Sequence, residues 1–451
     1  MKPIDLILKR MSDYSARDAI YENGIVLTYS EFIKKIDDWE YKLSGLKIHQ
    51  GTVCAVIGEF STETCALFFA LIKCNAIIVP LTKTNENENL NFLNISGAEV
   101  VIEFQNLNEF RVVYPKNTYK NQLIIEFQKK NESGLIVFTS GSSGTPKGIL
   151  HACDRVLNKF LIERESFRTV LFLLMDHFGG FNTFLGTFSS GGMAICIAER
   201  SAPAICLAIQ SSSASLLPTT PTFINMLIAS GAYRGYNLSS IKLITYGTEV
   251  MPEATLKKLN EIFPNATIKQ TYGLSEVGVL RSKSKDNGST WVKLGGNGFE
   301  VKILDGILWI RSEANMVGYL NAPSPFDSEG WLCTGDQVEI NGDYVKIIGR
   351  QSEIINVGGQ KVFPSEVEEL LLSDPNVKDV SVYGVPHQLM GQVVNANISL
   401  IEDEDHEKIK IRLRKRCSEN LAKYKIPLKF QIVDDTFLRN HRFKKVRKDF
   451  N

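Results

Sequence analysis

At 451 residues the chain is long enough for more than one domain with its own core. Its 51 lysines and arginines balance 50 aspartates and glutamates, leaving +1, so nothing points to nucleic acid or another polyanion as partner. Eight scattered cysteines, with no C-x-x-C pair and no metal-type spacing with histidine, read as buried thiols of a reducing compartment. No apolar run reaches membrane-spanning length and the N-terminus lacks an apolar signal core, so a cytoplasmic protein without a membrane partner is expected.

The first 80 residues alternate strand and helix patterns. Residues 27–31 end a strand and open a helix, with Ser30 the expected N-cap. Residues 53–57 and 77–81 read as buried strands around an apolar helix at 63–73, the pattern of a parallel α/β sheet. Residues 82–94 are polar, a loop with one exposed helix, and 104–130 show no clear period.

The most informative stretch is 138–148, F-T-S-G-S-S-G-T-P-K-G. An apolar run at 135–138 leads in as a strand, and 149–164 is expected to continue as a helix. Backbone N–H groups at Gly141 and Gly144, hydroxyls of Thr139, Ser140, Ser142, Ser143 and Thr145, and the charge of Lys147 suit phosphate oxygens. This is not the common nucleotide loop, because Pro146 precedes Lys147 and Gly148 follows it.

Further on, 171–175 reads as a buried strand ending at Asp176 and His177, with glycines next and Phe172, Phe178, Phe181 and Phe184 nearby. A histidine there either faces a cleft or caps backbone. Residues 241–246 form a strand followed by Gly247, Thr248 and Glu249, a turn. In T-Y-G-L-S-E at 271–276, Tyr272 offers a flat face for a purine and Gly273 permits close approach. Glu276 is a hard oxygen donor suited to Mg²⁺, or an acid at a helix start. Asp336, at a turn into a strand at 337–340, can accept two neighbouring hydroxyls or cap its own backbone. After a strand at 344–349 come Arg350 and Ser352, then Gly358-Gly359, which reads as a hairpin turn. Strands at 377–385 and 395–400 and a basic amphipathic helix at 407–423 lead to the basic tail 437–447.

Taken in this order the motifs resemble the adenylate-forming superfamily, which includes acyl-CoA synthetases and peptide-synthetase adenylation domains. The resemblance covers essentially the whole chain. It implies a large α/β N-terminal domain with parallel-rich sheets and helices (1–349), a hinge (350–352) and a mobile, small α+β C-terminal domain (353–451). It implies that residues 139–147 hold ATP phosphates and that Gly247, Thr248 and Glu249 line the adenine and carboxylate sites. Thr271, Tyr272, Gly273 and Ser275 would enclose adenine, Glu276 would hold Mg²⁺, and Asp336 and Arg350 would reach the ribose. His177 would gate the acid pocket, Gly358-Gly359 would line the thiol tunnel, and Lys444 would contact the charge that develops during adenylation.

The departures from the family pattern are Asn75 and Phe443 in place of glycines and Ser352 in place of the hinge Asp or Lys. Lys445 competes with Lys444 for the lysine position. The resemblance implies activation of a carboxylic acid, apolar or aryl favoured, by ATP and Mg²⁺, then transfer to coenzyme A. The alternative is an adenylation enzyme loading an amino or carboxylic acid onto the phosphopantetheine of an acyl carrier protein, for which Asp176 speaks. A lesser alternative is a degenerate relative that only binds nucleotide, for which Phe443 and Ser352 speak.

Overall fold

The computed structural model describes residues 1–83, 86–106, 109–116, 121–139, 146–296, 298–439 and 445–448. Two seven-stranded sheets build the large domain. One runs, edge to edge, Thr267–Gln270, Leu243–Tyr246, Leu216–Thr219, Arg168–Val170, Met193–Ile195, Asp18–Glu22, Ile25–Thr28, with every neighbour parallel except the last pair. The other runs Gly318–Tyr319, Lys147–Ala152, Gly134–Thr139, Ile77–Leu81, Val53–Ile57, Val100–Phe104, Phe110–Val113. Its middle four strands are parallel and its edges antiparallel. Strands Val53–Ile57 and Ile77–Leu81 are buried throughout, as central parallel strands covered on both faces must be.

Helices Thr62–Lys73 and Phe178–Ser189 share one core with residues of both sheets. Their contact is aromatic: Phe69 meets Phe184 at 4.9 Å between ring centroids, and Phe68 meets Phe181 at 5.4 Å. Phe172 packs on Phe223 at 4.5 Å. The phenylalanines near His177 therefore fill the interior; Phe181 and Phe184 are fully enclosed.

A six-stranded antiparallel sheet follows, in which Leu332–Asn341 pairs with Tyr344–Arg350. Strands Ile355–Val357, Gln360–Val362, Val377–His387, Gly391–Leu400 and Lys429–Ile432 form a last sheet. Helices Pro364–Leu372 and His406–Asn420 pack on it around a separate core that includes Val367, Leu371, Val380, Ile398 and Leu413. The fold is thus the expected large α/β domain with a small α+β domain.

Several local expectations change. Thr28, not Ser30, caps the first long helix: its Oγ1 accepts from Glu31 N–H at 3.3 Å while the Glu31 carboxylate accepts from Thr28 N–H at 2.8 Å. Residues 147–152 form a strand, whereas a helix was expected from 149 onward, and only Cys153–Asn158 is helical. The reason is tertiary, since that strand is paired on both sides, to Gly134–Thr139 and to the distant Gly318–Tyr319. The strand expected at 171–175 is Arg168–Val170 instead, and His177 caps the helix Phe178–Ser189 after a buried turn. Asp336 lies inside the strand Leu332–Asn341 rather than ahead of it. The segment 104–130 supplies a strand, Phe110–Val113, and a helix, Gln122–Gln128. Asn75 adopts φ +58°, a left-handed conformation that asparagine tolerates, and its Oδ1 accepts from Lys2 Nζ at 2.7 Å.

The turn that presents His177 is closed by backbone contact. A Cβ at Gly180 would lie 2.0 Å from the Leu174 carbonyl oxygen. Gly180→Ala should therefore lower the unfolding free energy by about 3 kcal/mol or more, the upper end of overpacking costs. Urea unfolding should show a lower midpoint at the same slope; an unchanged midpoint would refute the packing described.

Candidate active site

Strand Gly134–Thr139 delivers Thr139 to the end of its sheet, and Lys147 pairs with Thr139 on the returning strand. Ser140, Gly141, Ser142, Ser143, Gly144 and Thr145 lie outside the described residues. The loop is thus closed by a hairpin, not by a helix. Asn321 fastens its far side, donating to the Pro146 carbonyl at 2.8 Å and accepting from Gly148 N–H at 3.0 Å.

From Lys147 the site continues through side chains. Its ammonium stands 5.1 Å from the centre of the Tyr319 ring. The Tyr319 hydroxyl donates to Glu276 Oε1 at 2.7 Å. Burial, with the Glu276 charge, pushes the Tyr319 phenol well above its ordinary range. Glu276 sits in the turn of the hairpin Gly273–Leu274 and Gly278–Val279, so the helix-start alternative does not hold. Gly273 is required there, because a Cβ would lie 2.6 Å from the Gly278 carbonyl oxygen.

Thr271 binds the Tyr246 carbonyl through N–H at 2.7 Å and Oγ1 at 3.0 Å. A Cβ at Gly247 would meet Thr271 Oγ1 at 2.6 Å, so the loops 247–249 and 271–276 lie in contact. Thr248 has φ +73°, a strained value for a β-branched residue.

Asp336, buried, is held from both sides. The Tyr272 hydroxyl donates to Oδ2 and Arg350 Nε donates to Oδ1 at 2.9 Å. Arg350 lies directly opposite Asp336 in strand register. Tyr272 is itself mostly enclosed, and burial with the Asp336 charge raises its phenol strongly. The structure therefore brings Tyr272, Asp336 and Arg350 together from three segments.

His177 is partly exposed at the helix start, and its carbonyl accepts from Phe181 N–H at 3.1 Å. Asp176 is buried and accepts from Thr82 Oγ1 at 3.4 Å. Glu249 faces the tail. Its Oε2 accepts from Thr222 N–H and Oγ1 at 3.2 and 2.7 Å, while Oε1 accepts from Lys445 N–H at 2.7 Å. Lys444 lies outside the described residues. Lys445 is buried in the small domain between Glu368 (3.4 Å) and Asp379 (3.6 Å), with Arg447 also on Glu368. Gly358 and Gly359 have φ +57° and +83° and turn a two-residue hairpin, as the sequence suggested. Ser352 lies exposed in the short turn Gln351–Glu353 that follows Arg350.

Tyr319, Asn321 and His151 escaped the sequence reading. His151, fully buried, donates from Nε2 to the Ser275 carbonyl at 2.6 Å and packs against Phe178 at 4.8 Å. The strand leaving the phosphate-loop stretch is so bonded to the T-Y-G-L-S-E turn. Burial pushes His151 down to about 4, so the ring is neutral with its proton on Nε2. Only the corrected strand assignment for 147–152 could have suggested it.

No group of three metal-type side chains occurs among the described residues. Nor, among them, is any helix long and apolar enough to cross a membrane.

Residues 8–320 match the AMP-binding enzyme family and residues 366–444 its C-terminal domain. The chain belongs to the AMP-binding enzymes. These form the adenylate-forming superfamily, as the motifs indicated. Among AMP-binding relatives, a 4-coumarate–CoA ligase-like protein of Arabidopsis thaliana is 29% identical over 60% of this chain and 53% of its own length. A CoA ligase of Rhodococcus jostii for a methyl-dioxo-octahydroindenyl propanoate is 28% identical over 66% and 61%. A long-chain-fatty-acid–CoA ligase of Mycobacterium tuberculosis is 24% identical over 95% and 94%. The chain thus spans less than two thirds of the first two relatives and nearly all of the third. Among solved AMP-binding structures, an anthranilate CoA ligase in complex with anthranoyl-AMP superposes with a TM-score of 0.84 at 21% identity, covering 99% of this chain and 95% of the other. ATP-bound MatB from Rhodopseudomonas palustris gives 0.82 at 20%, covering 98% and 97%. At such identities these two establish the shared fold.

His151 yields a pH test. Between its ordinary value of 6.5 and about 4, the unfolded chain binds a proton that the folded chain does not. Its stabilising contribution is complete above 6.5 and is lost as pH falls, by about 1.4 kcal/mol per pH unit, until about 4. His151→Gln retains an N–H donor for Ser275 and cannot titrate. Its urea-unfolding free energy should fall less steeply across this window, by roughly one proton's worth. Parallel slopes for the two proteins would show that His151 does not titrate as described.

Proposed function

We propose that this AMP-binding enzyme is an acid–thiol ligase, a carboxylate–CoA ligase of the AMP-forming kind. A carboxylate is a poor acyl donor because oxide would have to leave. Its oxygen attacks the α-phosphorus of ATP, the bond to the bridging oxygen breaks, and pyrophosphate departs with the electron pair. AMP is then the leaving group when a thiol sulfur attacks the acyl carbon, and the thiol proton goes to solvent. The observation that carries this reading is the convergence of Lys147, Tyr319 and Glu276 at one end of a hairpin and of Tyr272, Asp336 and Arg350 beside it.

On this reading, residues 139–147 hold the phosphates. Asp336 accepts ribose hydroxyls, with Arg350 and Tyr272 fixing its carboxylate. Gly247, Thr248, Glu249, Thr271, Gly273 and Ser275 wall the adenine and carboxylate sites, and His177 meets the carboxylate. Glu276 accepts from Tyr319 on one oxygen, and on this reading its carboxylate would hold Mg²⁺ together with phosphates and water. The Mg²⁺ would offset negative charge on the phosphates. An apolar or aryl acid is favoured, in line with relatives named for coumarate and long-chain fatty acids. Coenzyme A is the favoured acceptor in the cytoplasm, and a carrier-protein arm is the alternative. Asp176, already bonded to Thr82, speaks less for an amino acid than its sequence position did.

Asp336→Ala should weaken ATP binding and slow both half-reactions, because AMP remains bound through each. Calorimetry showing unchanged ATP affinity would remove Asp336 from the ribose site.

We assign residues 1–349 and 353–451 as domains that rotate about 350–352 between the two steps. Lys444 then acts only while the adenylate forms, and the Gly358-Gly359 hairpin only when the thiol arrives. Lys444→Ala should lower pyrophosphate exchange by about 100-fold or more, yet still convert supplied acyl-adenylate to thioester. Gly359→Trp should do the reverse. Equal damage to both steps by both variants would defeat the rotation, and a silent Lys444→Ala would move the role to a neighbouring residue. Mass spectrometry of products made with CoA or with carrier protein decides the acceptor.

A further inference from the structure

One cation beside this site has no role in the scheme above. Lys159 follows the helix Cys153–Asn158, and its ammonium donates to Asn182 Oδ1 and, at 3.3 Å, to the Val279 carbonyl. Both acceptors are neutral, and Lys159 pairs with no carboxylate among the described residues. The Phe160 ring lies 5.0 Å away. A cation, Arg164, acts on Lys159. Arg164 donates to the Lys159 carbonyl at 3.0 Å and packs on Phe160, and with Arg281 it acts on Lys269. Burial first, then Arg164, push Lys159 down to about 7. A desolvated cation beside another cation is unfavourable, and an incoming anion would relieve it.

The position of Lys159 relates it to the acid. Asn182 lies five residues along the helix from His177, and Val279 three residues along the hairpin from Glu276. The five helical steps rise roughly 7–8 Å along the helix from His177. Gly179 stands between His177 and Asn182 and Gly278 between Glu276 and Val279, and the buried Phe178 ring packs on Gly278, its nearest atom 3.4 Å from where a Cβ would lie. A Cβ at Gly179 would meet nothing nearer than Leu173 at 3.4 Å.

We infer that Lys159 is a specificity-determining residue that binds a second anionic group of the acid substrate, at the end remote from the carboxylate that reacts. The inference rests on the ligase reading. The spacing suits two anionic ends separated by a benzene ring or a six-carbon chain.

The test is pyrophosphate exchange by the full-length enzyme on matched acids, benzoate against terephthalate and hexanoate against adipate. The diacid of at least one pair should be preferred in kcat/KM by roughly tenfold or more, the worth of one charged hydrogen bond. K159M should erase that preference, lowering kcat/KM for the diacid far more than for the monoacid, and K159R should retain most of it. Preference for the monoacid in both pairs overturns the inference and leaves the ligase reading standing. So does equal discrimination by K159M and wild type, or a K159M effect confined to the KM for coenzyme A, whose phosphates are the other source of anionic charge. Exchange with none of the four acids overturns both readings. Should K159M fail to fold, the wild-type preference and K159R still decide the matter.

Discussion

The buried Asp336 carboxylate is the contact on which the candidate site depends. A carboxylate out of water needs charge and hydrogen bonds to compensate its desolvation. Here a phenol and a guanidinium supply both, one to each oxygen. The consequence is spatial. Tyr272 fixes the turn that carries Glu276, and Arg350 is the last residue before the turn containing Ser352. One carboxylate thereby ties the antiparallel sheet, the 271–276 loop and the approach to the small domain. Removing it would leave Tyr272 and Arg350 without their shared acceptor.

The second constraint is the hairpin formed by the strands on either side of residues 140–146. A strand returning from a loop can be bonded on both edges, which a helix cannot. Lys147–Ala152 uses one edge for Gly134–Thr139 and the other for Gly318–Tyr319. The second pairing places the Tyr319 ring beside Lys147 and its hydroxyl on Glu276. The inward face of the same strand carries His151 to the Ser275 carbonyl. Lys147, Tyr319, Glu276 and His151 therefore form a connected set whose rigidity comes from backbone pairing. Preorganisation of this kind stabilises charge as it develops, because the donors need not reorient during reaction.

The two domains meet where Glu249 bridges the start of the helix Pro221–Ser230 and the backbone of Lys445. Lys445 and Arg447 share Glu368 inside the small domain. That buried network commits Lys445 to structure and fixes the chain immediately after residue 444. Other bonds cross the same boundary: Glu253 N–H donates to Glu369 at 3.3 Å, and the Ser365 hydroxyl donates to the Ile348 carbonyl at 2.7 Å.

Much of this was legible in the chain. The buried strands 53–57 and 77–81, the apolar helix between them, the Gly-Gly hairpin and the order of the motifs follow from local pattern, because alternation, helical period and turn chemistry act over a few residues. The sequence determined the fold class and which residues to examine. It could not determine partners. Residues 149–152 read as helix because nothing local reveals that residue 319 lies alongside. Apolar content alone does not say whether the phenylalanines after His177 line a cleft or fill the core, and tertiary packing put Phe181 and Phe184 against Phe68 and Phe69 in the interior. Tyr272 and Asp336, 64 residues apart, and the buried neutral His151 exist as features only after the sheets assemble, for burial and pairing are properties of the packed chain.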